Sequence, residues 1–179
     1  VLGNSTNMES LMKVVRKKKL TLIEDTCESL GSKYKNKYLG GYGSFSTFSF
    51  YYSHQISSIE GGMICCNTKE DSDIIKALRS HGWARGLFNQ KKIEKKYKKI
   101  NKRFLFINSG FNLRPTNIQA AIGLSQFKSL KYFVKQRKMN RSRLINSLKS
   151  DDRWDDQVNF LNTNNNVNPS WFGLPMIMN

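Results

Sequence analysis

The chain has 179 residues, 39% hydrophobic and 12% aromatic, which is enough for a packed core and too much for a disordered tail. Its 30 Lys and Arg outnumber 13 Asp and Glu, for a formal net charge of +17. No apolar run approaches the ~20 residues of a membrane span, and no Lys/Arg-led apolar segment marks a secretion signal.

Met8 to Lys19 reads as a helix, with Met8, Leu11, Met12, Val14 and Val15 near one face and lysines at its C-terminal end. Leu20 to Glu24 is a short apolar run bounded by charge, which predicts a buried strand. Gly31 to Gly43 is turn-rich, with four glycines. Phe45 to Tyr51 alternates aromatic residues with Ser and Thr, as a strand does. After Gly61-Gly62, Met63 to Cys66 predicts another short buried strand, and Lys69 to Ser80 a helix. Trp83 to Phe106 is a lysine-dense excursion, read as an exposed loop or loose helix. Pro115 suits the first turn of one long helix, with Ile118, Ile122, Leu130, Phe133 and Val134 on its apolar side and Leu144, Ile145 and Leu148 renewing it. Asp151 to Asn168 is polar and Asn-rich, a linker or surface loop. Trp171 to Met178 is strand-like again, and Asn179 falls in mid-element. Strands alternating with helices predict an α/β layered fold. Val1 rather than Met opens the chain, so it is read as a piece of a longer protein.

The charge is uneven. Residues 1–90 carry net +4, residues 91–149 net +16 and residues 150–179 net −3. The basic block raises nucleic-acid binding as one function class. No nucleic-acid module signature accompanies it, so a lysine-rich solvated face is the preferred reading. Cys27, Cys65 and Cys66 lack the spacing of a disulfide framework, which suits a reduced, cytoplasmic setting. Two histidines and no paired cysteine spacing predict no metal site. Neither a Walker-type glycine loop nor a Rossmann glycine fingerprint occurs.

Some residues stand out chemically. Asp25 ends a predicted strand, where ligands bind in open α/β folds, and Glu28 follows three residues later. A helix cap or turn residue is the plain alternative for Asp25. Ser49 and His54 flank the end of the Phe45–Tyr51 strand. Imidazole suits proton transfer near neutrality. The segment Ser53 to Ser58, then Glu60-Gly61-Gly62, permits close backbone approach to a ligand such as a phosphate. His81, before Gly82, reads as a helix C-terminal residue.

Three ordered segments together resemble the DegT/DnrJ/EryC1/StrS nucleotide-sugar aminotransferases. Ile23-Glu24-Asp25-Thr26-Cys27-Glu28-Ser29-Leu30-Gly31 is similar to their Asp-x-x-Gln/Glu motif. Phe45 to His54 with Glu60-Gly61-Gly62 resembles their cofactor-lysine segment. Gly110-Phe111-Asn112-Leu113-Arg114-Pro115, running into Gln119 to Gly123, resembles their Gly-x-Asn-x-Arg motif, with Arg79 to Trp83 between. The resemblance implies the fold-type-I pyridoxal-phosphate (PLP) large domain, a mixed, mostly parallel sheet sandwiched by helices. It also implies a homodimer with shared active sites. Residues 1–132 would be the central part of the large domain, and residues 133–179 a long helix and the start of the small C-terminal domain.

One departure matters. His54 stands where the family has its Schiff-base lysine. That resembles one subgroup, the 3-dehydratases of nucleotide-linked 4-keto-6-deoxyhexoses used in deoxysugar and O-antigen polysaccharide synthesis; Ser170-Trp171-Phe172-Gly173 resembles it too. No cysteine follows Cys66, which favours the subgroup without an iron–sulfur cluster. The resemblance implies that PLP, or its amine form PMP, is held non-covalently, since an imidazole cannot bind it as a lysine amine does. Asp25 would pair with the protonated pyridine nitrogen and Glu28 sit near the ring hydroxyl. Ser49 would bond the phosphate, and Asn112 would reach the phosphate in the neighbouring subunit. His54 would move the protons as the C3 hydroxyl leaves, and glutamate would restore the amine. The alternatives are an ordinary nucleotide-sugar aminotransferase, an inactive relative and, more distantly, a basic nucleic-acid-binding protein.

Overall fold

The computed structural model describes residues 1–155, 157–163 and 165–178. The chain forms two compact units. The first comprises residues 1–64 and 117–179, and the second residues 65–116.

In the first unit, helix α1 spans Met8–Lys18. Asn7 caps its N-terminus by accepting the Ser10 N–H at 3.0 Å, and Lys19 ends it in the left-handed conformation. Strands β1 (Ile23–Asp25) and β4 (Phe45–Ser49) pair in parallel, with Asp25 opposite Thr47. Between them, β2 (Lys33–Tyr34) and β3 (Lys37–Tyr38) make an antiparallel hairpin. Its two-residue turn, Lys35-Asn36, has both φ angles positive, as the twist of a tight hairpin requires. Strand β5 (Gly62–Cys66) completes the order β1-β4-β5 and leads into the second unit. The core of the first unit joins Met8 of α1, Tyr34 and Leu39 of the hairpin region, and Val167.

The strands depart from their predicted burial. In β1 the apolar Ile23 is 62% exposed and the charged Glu24 is buried. Met63 and Ile64 of β5 are exposed as well. Their apolar runs are real, but among the described residues no neighbouring layer covers those faces. Glu24 is buried because its carboxylate is fully used. One oxygen accepts the Gly40 N–H at 2.7 Å; the other accepts Tyr42 and Gly43 N–H, each at 2.6 Å. Three backbone donors replace the water that a carboxylate otherwise needs.

The predicted single long helix is two. Pro115 precedes helix α4 (Asn117–Phe127) by a residue rather than entering it, and α5 spans Leu130–Lys149. The ladder breaks at a turn in which Ser129 N–H bonds the Gln126 carbonyl at 2.9 Å. The apolar side of α4 is exposed, with Ile118 at 72% and Leu124 at 68%. Within the polar stretch expected to be a loop, Val158–Phe160 forms β6 and Val167–Asn168 forms β7. Strand β7 adds to β2, and β6 pairs with β8 (Met176–Met178). Pairing with β2 and β8 orders them despite weak local propensity. The predicted end at Asn179 lies outside the described residues. Among the described residues no helix is long and apolar enough to cross a membrane.

The second unit carries α2 (Lys69–Leu78) and α3 (Gln90–Lys96), so part of the lysine-dense excursion is helical. Thr68 caps α2. Asp73 is buried because its carboxylate accepts the Phe88 and Asn89 N–H groups at 2.7 and 3.0 Å. His81 follows α2 with φ 59° and donates its N–H to the Phe111 carbonyl at 2.8 Å. Gly82 is obligatory: its φ is +83°, and a Cβ there would lie 1.6 Å from the Asn108 carbonyl oxygen.

Glu24 therefore ties β1 to the 40–43 turn. Glu24→Ala strands three backbone donors and should cost about 3 kcal/mol, whereas Glu24→Gln keeps an acceptor and should cost about half as much. Urea unfolding followed by circular dichroism checks the order and size of the two losses.

Candidate active site

Parallel pairing puts the C-terminal ends of β1 and β4 at one edge of the sheet. Asp25 is the last residue of β1 and Ser49 the last of β4, so the sheet carries both to that edge. This is the edge at which open α/β sheets bind ligands. Cys27 N–H and the Thr47 hydroxyl donate to Asp25 Oδ1 at 3.1 and 3.3 Å. The Cys27 thiol and then the Cys27 N–H hold the exposed Asp25 carboxyl below its ordinary range, with a lesser contribution from the Thr47 hydroxyl, against the opposing effect of burial. Burial pushes the Cys27 thiol up, and the neighbouring Asp25 carboxylate adds to this. Asp25 is thus a fixed anion facing solvent at the sheet edge.

Ser49 Oγ accepts the Tyr51 N–H at 3.3 Å, starting the turn that leaves β4. Within that turn His54 N–H donates to the Tyr51 carbonyl at 3.0 Å. The His54 ring packs 5.0 Å from the Phe172 ring and 6.1 Å from the Tyr51 ring, centroid to centroid. Its Nδ1 is buried and has no hydrogen-bond partner among the described residues. Glu28 Oε2 accepts the Leu2 N–H at 2.6 Å, so its carboxylate also anchors the N-terminal segment. Asn112 lies in the second unit, exposed, where it bridges to Ser80 across an isolated β-pair.

Sequence reasoning missed the groups that hold this edge together. Gln55, beside His54 and 3% exposed, donates its side-chain amide to the Glu28 carbonyl at 2.5 Å and the Ser170 carbonyl at 3.3 Å. Arg137 of α5 donates to the Trp171 and Phe172 carbonyls at 3.2 and 2.9 Å. In the sequence Phe172 stands out only through the family resemblance of Ser170 to Gly173. Its contact with His54 joins segments more than a hundred residues apart, which no local pattern reveals.

A profile of the DegT/DnrJ/EryC1/StrS aminotransferase family matches residues 1–179. The chain belongs to that family. It is 33% identical over 180 residues to GDP-4-keto-6-deoxy-D-mannose 3-dehydratase of Escherichia coli O55:H7, covering 99% of this chain and 45% of that protein. A solved structure of the E. coli enzyme with bound hydrated PLP superposes with a TM-score of 0.86 at 31% identity, over 100% of this chain and 45% of that one. Another, of GDP-4-keto-6-deoxymannose-3-dehydratase with a trapped PLP-glutamate geminal diamine, gives a TM-score of 0.86 at 30% identity, over 100% and 45%. The chain therefore shares the α/β fold expected of the family and spans less than half the length of these relatives.

The residues present suit an anionic aromatic cofactor of the PLP type. A carboxylate kept ionised matches a protonated ring nitrogen, and Ser49 on the adjacent strand offers a hydroxyl. A depressed carboxyl contributes fully above its ordinary value of about 3.9 and loses that contribution as pH falls through the lowered value. The Asp25 carboxyl, followed by carbon NMR, should titrate below that ordinary value, and Cys27→Ala with Thr47→Val should raise its midpoint. A midpoint unmoved by the double substitution contradicts the assigned cause.

Proposed function

We propose that this chain is the central part of a PLP/PMP-dependent enzyme. It removes the C3 hydroxyl of a nucleotide-linked 4-keto-6-deoxyhexose in deoxysugar polysaccharide synthesis. The observation that carries the reading is His54 itself. It stands in the segment that resembles the family's cofactor-lysine segment, on the turn leaving β4, beside the edge that presents Asp25. The similarity to 3-dehydratases of GDP-4-keto-6-deoxymannose supports it.

Asp25 would hold the pyridine nitrogen in its protonated form. Ser49 would donate to the phosphate, and Glu28 would lie near the ring hydroxyl. Asn112 would serve the phosphate of the second subunit's site. Bound there as PMP, the cofactor would supply the amine that condenses with the sugar ketone and a ring that accepts electrons. His54 would take up a proton at a ring nitrogen and deliver one to the departing C3 hydroxyl. An imidazole leaves the cofactor free to exchange between amine and aldehyde forms, with glutamate as the amino donor. No iron–sulfur cluster is needed for this reading. The protein would work as a cytoplasmic homodimer, and the exposed apolar side of α4 is a surface such an assembly can cover. Residues 1–132 would belong to the large domain and residues 133–179 to the long helix and small domain.

His54→Lys restores an amine where the family has one. In the PLP-loaded protein it should retain cofactor covalently after borohydride treatment and lose dehydration by about 10²-fold or more. An unchanged dehydration rate without covalent retention would sink the assignment.

A further inference from the structure

A histidine that moves protons normally has its ring set by a hydrogen bond from the second nitrogen to a carboxylate or carbonyl. His54 lacks that device: its Nδ1 is buried with no hydrogen-bond partner among the described residues. Its backbone is fixed by the bond to the Tyr51 carbonyl, but that bond leaves the ring torsions free. Among the described residues, packing is what sets the ring plane. The nearer of the two described aromatic contacts is Phe172, 5.0 Å away with the ring planes inclined at 58°. Tyr51 is farther, at 6.1 Å, and belongs to the same turn as His54.

We propose that Phe172 is a positioning residue for His54, fixing by ring contact the orientation that a hydrogen bond fixes in other catalytic histidines. The proposal rests on the reading of His54 as the proton-transfer group.

A packing contact can orient a partner only if its own position is fixed, and the Phe172 backbone is bonded through both its N–H and its carbonyl. Its N–H donates to the Leu2 carbonyl at 3.0 Å, and its carbonyl accepts Arg137 Nη1 at 2.9 Å. The same nitrogen holds the Trp171 carbonyl at 3.2 Å. The Arg137 guanidinium also lies 6.0 Å from the Phe172 ring centroid, within cation–π range. Two residues upstream, Ser170 N–H donates to Ser32 Oγ at 2.8 Å, and the Ser170 carbonyl accepts the amide of Gln55, the residue after His54. One end of this clamp thus grips Phe172 and the other grips the turn carrying His54.

The test uses the PLP-loaded protein with Phe172→Ala, Phe172→Leu and Phe172→Tyr. Loss of the ring should lower kcat by roughly 10- to 100-fold and leave KM within about twofold, because misplacement of a reacting group is felt in the chemical step. Phe172→Tyr should restore most of the rate. An activity-independent readout comes from imidazole NMR. The chain has only two histidines, so His81→Gln leaves the His54 ring signal alone. That signal should shift and broaden in Phe172→Ala and return in Phe172→Tyr. If the parent protein performs no dehydration but the His54 signal still depends on Phe172, the positioning role stands and the reaction assignment falls. A folded Phe172→Ala protein with unchanged kcat and unchanged His54 signal overturns the proposal. Should Phe172→Ala fail to fold, Phe172→Leu, which keeps bulk but no ring, decides by the same two readouts.

Discussion

The first unit depends on one buried hydroxyl used in both directions. Ser32 Oγ, fully buried, donates to the Gly3 carbonyl at 2.7 Å and accepts the Ser170 N–H at 2.8 Å. It thereby joins the N-terminal turn, the loop after β1 and the segment before β8. Gly3 is a glycine for the same reason: its φ is +87°, and a Cβ would lie 2.3 Å from the Ser170 carbonyl oxygen. Other bonds join the same three segments. Leu2 bonds both Phe172 and Glu28, Gln55 reaches the Glu28 carbonyl, and Arg137 of α5 bonds the Phe172 carbonyl. Without the Ser32 hydroxyl the Gly3 carbonyl and the Ser170 N–H would lose this buried partner, which favours the one arrangement that supplies it.

The site itself shows a division of labour between acidic side chains. Glu24 and Asp25 are adjacent in β1 and point to opposite faces. Glu24 is buried and fully occupied by backbone amides, so it serves the fold. Asp25 is exposed at the sheet edge and kept ionised by Cys27 and Thr47, so it is available to a ligand. In the second unit Asp73 repeats the structural use of a carboxylate, holding the start of the lysine-rich excursion. Positive charge there is a surface property: Lys102 pairs with Glu94 at 3.1 Å while remaining 73% exposed.

Much of this was legible in the sequence, for identifiable reasons. Helices α1 and α2 carry caps and periodicity within ten or so residues, and both lie where expected. Asp25 was readable as a strand end because Thr26, Cys27 and Glu28 break the apolar run, whereas the strand read as Phe45 to Tyr51 stops at Ser49, because the aromatic Phe50 and Tyr51 continue the local pattern past the true end. The family segments were legible because each is contiguous. What was not legible is non-local. Nothing around Glu24 in sequence announces that the amides of residues 40–43 will solvate it. Strands β6 and β7 are ordered by partners rather than by their own Asn-rich composition. The break between α4 and α5 carries no glycine or proline. The Phe172–His54 contact depends on bonds such as Gln55 to Ser170, 115 residues apart.

The central claim is that an imidazole in place of the family's lysine directs the chemistry from amino transfer to loss of the C3 hydroxyl. Product analysis tests it most directly. The PLP-loaded protein, given GDP-4-keto-6-deoxymannose and glutamate, should release a nucleotide sugar lighter by one oxygen atom, still a ketone at C4, together with ammonia. A product of unchanged C3 that carries an amine in place of the C4 ketone would contradict the account.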